Sequence, residues 1–80
     1  MNPEVKAVAT LPNYKLKIEF SNNEVREFDV FPFLEKGIFA ELKDEQYFAQ
    51  VSIAFGSIEW PNDQDFSNDT LYLLGSPLGT

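Results

Sequence analysis

The chain reads as α+β: a small antiparallel sheet, formed by a three-stranded meander plus a second hairpin, with short helices packed on it. Three observations predict this class. Apolar residues alternate with polar ones in successive runs up to Val30, and helical spacing takes over from Pro32 to Ala49. A second pair of short alternating runs then follows before a last helical turn. The predicted organisation is one domain over residues 1–75, with a frayed tail at 76–80.

Val5, Ala7, Ala9 and Leu11 alternate with Lys6, Val8 and Thr10, predicting a first strand that Pro12-Asn13 interrupts. Tyr14, Leu16, Ile18 and Phe20 resume against Lys15, Lys17 and Glu19, the cleanest amphipathic strand in the chain. Ser21-Asn22-Asn23 suits a turn, because Asn tolerates a left-handed backbone. Glu24 to Val30 is the return strand. Val25 falls out of phase with Phe28 and Val30, which predicts a bulge or a strand buried on both faces.

Pro32 and Gly37 bracket one helical turn over 33–36. Ile38, Phe39 and Leu42 carry a second turn, and Asp44 is placed to cap Glu45 to Ala49. Such short pieces need a sheet to lie on, so Phe33, Leu34, Phe39, Leu42 and Phe48 are assigned to the core. Val51, Ile53 and Phe55 alternate, Gly56-Ser57 turns, and Ile58 to Trp60 returns until Pro61. Asn68 or Asp69 caps a final turn over 70–74, closed by Gly75.

Eighty residues bury only about 60% of the surface their unfolded chain exposes. With no cysteine, disulfides, zinc ribbons and thiol nucleophiles are excluded. Eight Phe, three Tyr and one Trp must therefore fill the core, and a partner or a homodimer is the other route to buried area. The formal net charge is -7 without histidine, which argues against direct nucleic-acid binding, since that depends on cations at the phosphates. Lys6, Lys15, Lys17, Arg26, Lys36 and Lys43 all precede Asp44, while from Asp44 onward there are acids and no base. A charged partner of the second half is expected to be basic. The first residues form no secretory signal and no apolar run is long enough for a membrane span, so the expected location is cytoplasmic.

The ordered set Val5-Lys6-Ala7-Val8, Tyr14 to Phe20 with its Ser-Asn-Asn turn, Phe33 to Leu42, Phe48-Ala49-Gln50-Val51, Trp60-Pro61-Asn62, Asp65 and Asp69-Thr70-Leu71-Tyr72 resembles the short bacterial proteins grouped as domain of unknown function 2442. The likeness runs from Val5 to Tyr72. Phe55-Gly56-Ser57 departs from it, being tighter than the usual connection there. The resemblance implies an α+β fold and no defined reaction. It also implies a role beside a second short protein, in paired genes of the toxin–antitoxin kind.

Asp63, Asp65, Ser67 and Asp69 stand at positions one, three, five and seven of a loop, the spacing of a calcium-binding hand. Position twelve is Leu74 where a bidentate Glu is required, so turn and cap chemistry is the simpler reading. Catalysis would fall to Asp, Glu, Lys, Tyr, Ser or Thr, and acids in a turn stay solvated and ionised unless a pocket raises their pKa. No cofactor is expected. The leading assignment is a protein–protein interaction module with Trp60, Asn62, Asp63, Asp65 and Asp69 as its contact residues: the aspartates steer and Trp60 anchors. The plainer reading of Trp60 is a core lid over Leu71 and Tyr72. The strands at Val5 to Leu11 and Ile58 to Trp60 are candidate edges for a partner's strand. The alternative is a small metal- or ligand-binding domain, or a carboxylate-dependent enzyme using the Asp63/Asp65/Asp69 loop.

Overall fold

A computed structural model describes residues 2–78. Two antiparallel sheets and short helices share one core, the α+β arrangement that the periodicities predict. The first sheet has four strands in the order β1 (Val5–Leu11), β2 (Lys15–Phe20), β3 (Val25–Asp29), β7 (Ser76–Pro77). The second has three, in the order β4 (Ser52–Ala54), β5 (Ser57–Glu59), β6 (Asp65–Phe66). Two 3-10 segments, Phe31–Phe33 and Gly37–Lys43, and the helix α1 (Glu45–Phe48) connect the sheets, and α2 (Asn68–Leu74) precedes the last strand.

The meander forms where alternation predicts it. Leu16, Ile18, Phe20 and Phe28 face inward and are fully buried, while Lys17 and Asp29 stay in water. Asn23 has φ 70°, the left-handed geometry foreseen for the second turn. Three details differ from the expectation. Tyr14 belongs to the first turn, at φ 62°, and sends its hydroxyl to the Lys43 carbonyl at 2.5 Å. The β2–β3 register is unbroken from Lys15↔Asp29 to Glu19↔Val25, so of the two expectations for β3 the bulge is absent and the two-sided strand holds, with Val25, Arg26 and Glu27 all partly buried; the irregularity lies in β1 between Val5 and Ala7. Val25 is out of phase because the inward position beside Phe28 holds Arg26, whose half-buried guanidinium packs 3.8 Å above the Tyr72 ring.

The core is aromatic. Phe28, Phe33, Phe39 and Phe66 form one cluster with ring centroids 4.9–6.1 Å apart, and Trp60 joins it through Phe66 at 6.0 Å. Tyr14 meets Phe48 edge-on at 5.5 Å. Leu34, Leu42 and Phe48 are buried as assigned, and Phe33 and Phe39 pack half-buried against them. Asp44 caps α1 by accepting from Gln46 N at 3.0 Å. The cap of α2 is Ser67 rather than Asn68 or Asp69, because its Oγ is the side-chain oxygen that reaches Thr70 N, at 3.1 Å. The frayed tail is corrected as far as Leu78: Arg26↔Pro77 and Glu27↔Ser76 pair, and Leu78 N donates to Val25 O at 3.1 Å. Gly79 and Thr80 lie outside the described residues.

Candidate functional site

The segment that ends β5 and opens β6 turns within Trp60–Gln64. Trp60 N donates to Gln64 O at 2.9 Å and Asp63 N to Trp60 O at 3.1 Å, a closure that requires a left-handed residue. Asp63 supplies it with φ 73°, a conformation acidic and amide side chains tolerate better than most. The side chains then fasten the turn to the helical layer. Gln64 is 1% exposed; its Oε1 accepts from the Tyr47 hydroxyl at 2.6 Å, and its Nε2 donates to Ile38 O and Glu41 Oε1 at 3.0 and 2.9 Å. Asn62 Nδ2 donates to both Glu41 carboxylate oxygens at 3.0 and 2.8 Å, while its backbone N–H meets the Tyr47 oxygen at 2.8 Å. A buried amide with every polar atom satisfied fixes a unique geometry rather than leaving a reactive group.

Trp60 is not a surface anchor. It is 2% exposed, and its indole N–H donates to Phe48 O at 2.9 Å, which settles both the apolar body and the polar edge of the side chain inside the core. The burial follows from strand alternation, which turns Trp60 inward with Ile58 while Glu59 faces water. Asn62, exposed as a residue, has its amide occupied by Glu41.

The three aspartates are exposed but separate: Asp63 in the turn, Asp65 on β6 and Asp69 in the first turn of α2. Asp69 Oδ1 accepts from Asn2 Nδ2 at 3.0 Å. Among the described residues no three His, Cys, Asp or Glu side chains come together as a metal-holding group. Depressions of about 300, 160 and 160 Å³ are lined by single carboxylates, Glu35, Glu45 and Glu19 respectively, and none includes Asp63, Asp65 or Asp69. What the fold does bring together is Asp65 and Glu59, which stand directly opposite on the solvent face of β5 and β6, with Ser52 on the far side of Glu59. Like charges in that position repel by roughly 0.2–1 kcal/mol. Among the described residues the ion pairs join Lys6–Glu19, Lys15–Glu27, Arg26–Glu24 and Lys43–Glu35, and none of Asp44, Glu45, Glu59, Asp63, Asp65 or Asp69 takes part.

Two strand-edge expectations separate here. β5 is the central strand of its sheet and has no free edge, whereas β1 is an outer strand. Phe55 is the residue sequence reasoning misplaced. Alternation with Val51 and Ile53 puts it at the end of a strand, yet it is fully exposed in the turn itself, which is Phe55-Gly56 rather than Gly56-Ser57. Both residues have positive φ, 53° and 77°, the two-residue hairpin geometry in which the first position usually holds Asn, Asp or Gly. The available signal was the Phe-Gly pair itself, centred between runs that pair Ala54 with Ser57.

A second polar cluster lies on the other sheet. Glu24 accepts from the Tyr72 hydroxyl, from Arg26 Nη2 at 2.9 Å and from Asn22 Nδ2 at 2.6 Å. Those bonds, Tyr72 foremost, hold its carboxyl at about 2, well below the usual range. Arg26 Nη1 donates to Tyr72 O at 2.6 Å, while its buried Nε has no partner. A carboxylate kept this acidic is suited to clasping α2, not to exchanging protons near neutrality.

No significant match links the chain to any curated protein or to any solved structure. A family model does match, over residues 5–75, which includes both sheets as far as α2 and the stapled turn between β5 and β6. The chain therefore belongs to the family described as protein of unknown function (DUF2442).

Proposed function

We propose that the chain is a cytoplasmic protein–protein interaction module, the antitoxin-like member of a two-gene pair, whose acidic second half receives a basic partner. The observation that carries this reading is the opposed pair Glu59 and Asp65, held on a solvent-facing sheet surface outside every ion pair of the described residues. The isolated chain gains nothing from that juxtaposition. A cationic partner converts the repulsion into attraction and speeds encounter through long-range steering. Asp63 extends the same side from the intervening turn, and Asp69 adds charge at the start of α2. The exposed carboxylates repel phosphate, so direct nucleic-acid contact is not part of the proposal.

Co-expression with the short basic product of the neighbouring reading frame tests it. Complex formation is expected to weaken steeply with salt, and the E59K/D63K/D65K variant, its fold verified by thermal melting, is expected to bind at least about tenfold less tightly. Equal binding by the variant, an unchanged salt dependence, or no complex with such a product would sink the reading.

A further inference from the structure

We infer that Phe55 is the apolar anchor of this acidic side, a ring at the hairpin apex that enters an apolar recess of the basic partner. The inference rests on the acidic half being a docking surface, and adds to it the residue that supplies contact rather than steering. Phe55 is 101% exposed, more than any other large apolar residue described, so the folded chain gives the ring no packing. Its backbone at φ 53° is unfavourable for a bulky side chain where Asn or Gly would be at ease. Ile53, on the same hairpin, is 43% exposed and extends the apolar surface towards the sheet. Aromatic side chains of this kind dominate binding energetics when a partner buries them.

The surroundings specify the partner's chemistry. Val5 N donates to Gly56 O at 2.8 Å, and Glu4 lies across Gly56 so closely that a Cβ there would come within 2.8 Å of its carboxyl carbon. Asn68 N donates to Ser57 Oγ at 3.0 Å, which brings the first turn of α2, with Asp69, to the same end of the molecule. Glu59 lies two residues along β5 from Ser57. The hairpin apex therefore lies beside Glu4 and shares one end of the molecule with Asp69, carboxylates outside every ion pair of the described residues, with Glu59 further along β5. An occupant must offer an apolar recess bordered by Lys or Arg. A second copy of the chain would bring its own excess of negative charge, -7 overall.

The test uses the isotope-labelled whole chain and synthetic peptides of equal length and charge, one of alternating Arg and Leu, one of alternating Arg and Ser. Expected are amide shifts at Phe55, Gly56 and Glu59 with both, and at least about tenfold tighter binding of the Arg-Leu peptide, lost in Phe55→Asn. That variant is expected to melt about 4 °C higher, because Asn suits the left-handed backbone and no packing is forfeited. Equal affinity for the two peptides overturns the anchor while leaving the acidic surface intact. Binding of neither removes the surface itself and the anchor with it. A lower melting temperature for Phe55→Asn, or concentration-dependent shifts at Phe55 without peptide, assigns the ring to its own chain or to a second copy and also overturns the inference.

Discussion

The two sheets handle charge in opposite ways. In the four-stranded sheet, Lys15 meets Glu27 at 3.5 Å across β2 and β3, and Lys6 meets Glu19 at 3.6 Å across β1 and β2. In the three-stranded sheet the corresponding solvent positions hold Glu59 facing Asp65. One surface is neutral within itself and the other is incomplete without a counter-charge. The contrast teaches that net charge alone says little, since the surplus is confined to residues that the fold leaves unmatched. The polar staples differ as well: Gln64 secures the second sheet from inside with neutral hydrogen bonds, while Glu24 and Arg26 clasp the first at its margin with charged ones.

The comparison can be broken first at the core the two regions share. Trp60→Ala is expected to cost about 4 kcal/mol, most of the stability of a domain this size, read from urea unfolding. A cost below about 1 kcal/mol would return Trp60 to the surface. Gln64→Leu strands the proton of the Tyr47 hydroxyl and the Ile38 carbonyl, leaves Glu41 to Asn62 alone, and should lose about 2 kcal/mol by the same measurement. Stability of the first sheet should respond to acid. Because the folded carboxyl of Glu24 titrates at about 2 against 4.5 unfolded, its contribution is complete above 4.5 and fades as pH falls towards 2. Acid titration of the melting temperature should show a shallower fall over that window in Glu24→Gln. The smallest effects have opposite signs in the two sheets. Asp65→Lys, placed opposite Glu59, should stabilise by about 0.5 kcal/mol, whereas Lys15→Glu, placed opposite Asp29 and diagonal to Glu27, should destabilise by a similar amount. Matching signs would erase the distinction drawn above.

Much of the fold was legible because strand alternation reports burial directly. Leu16, Ile18 and Phe20 point inward wherever the strand is placed, and the meander follows. The second sheet was legible only in part. β4 spans Ser52–Ala54, too short for alternation to fix which face is inner, and a shift of one residue in the turn carries Phe55 from strand to apex. The pairing of Ser76 and Pro77 with β3 left no local sign, since Ser, Pro and Gly near a terminus read as a tail and the strand is created by Arg26 and Glu27 opposite. Of the site, the acidic character of the second half was readable residue by residue. The opposition of Glu59 and Asp65 was not, because it depends on register across a five-residue turn, Trp60–Gln64. Trp60 carried two readings, contact and core residue, for a general reason: an indole at a strand end looks alike from outside and inside until its N–H is given a destination, here the Phe48 carbonyl.

Asn68 Nδ2 donates to the carbonyls of Asn2 and Pro3 at 3.3 and 3.0 Å, so the start of the chain is moored against α2 close to the β4–β5 loop. A purification handle or fluorescent fusion grafted ahead of Asn2 would emerge there and shade the carboxylates around it. One appended beyond Leu78 would leave along β7, the border of the larger sheet farthest from β1. The choice of which terminus carries the reporter could thus decide whether a companion molecule is ever captured.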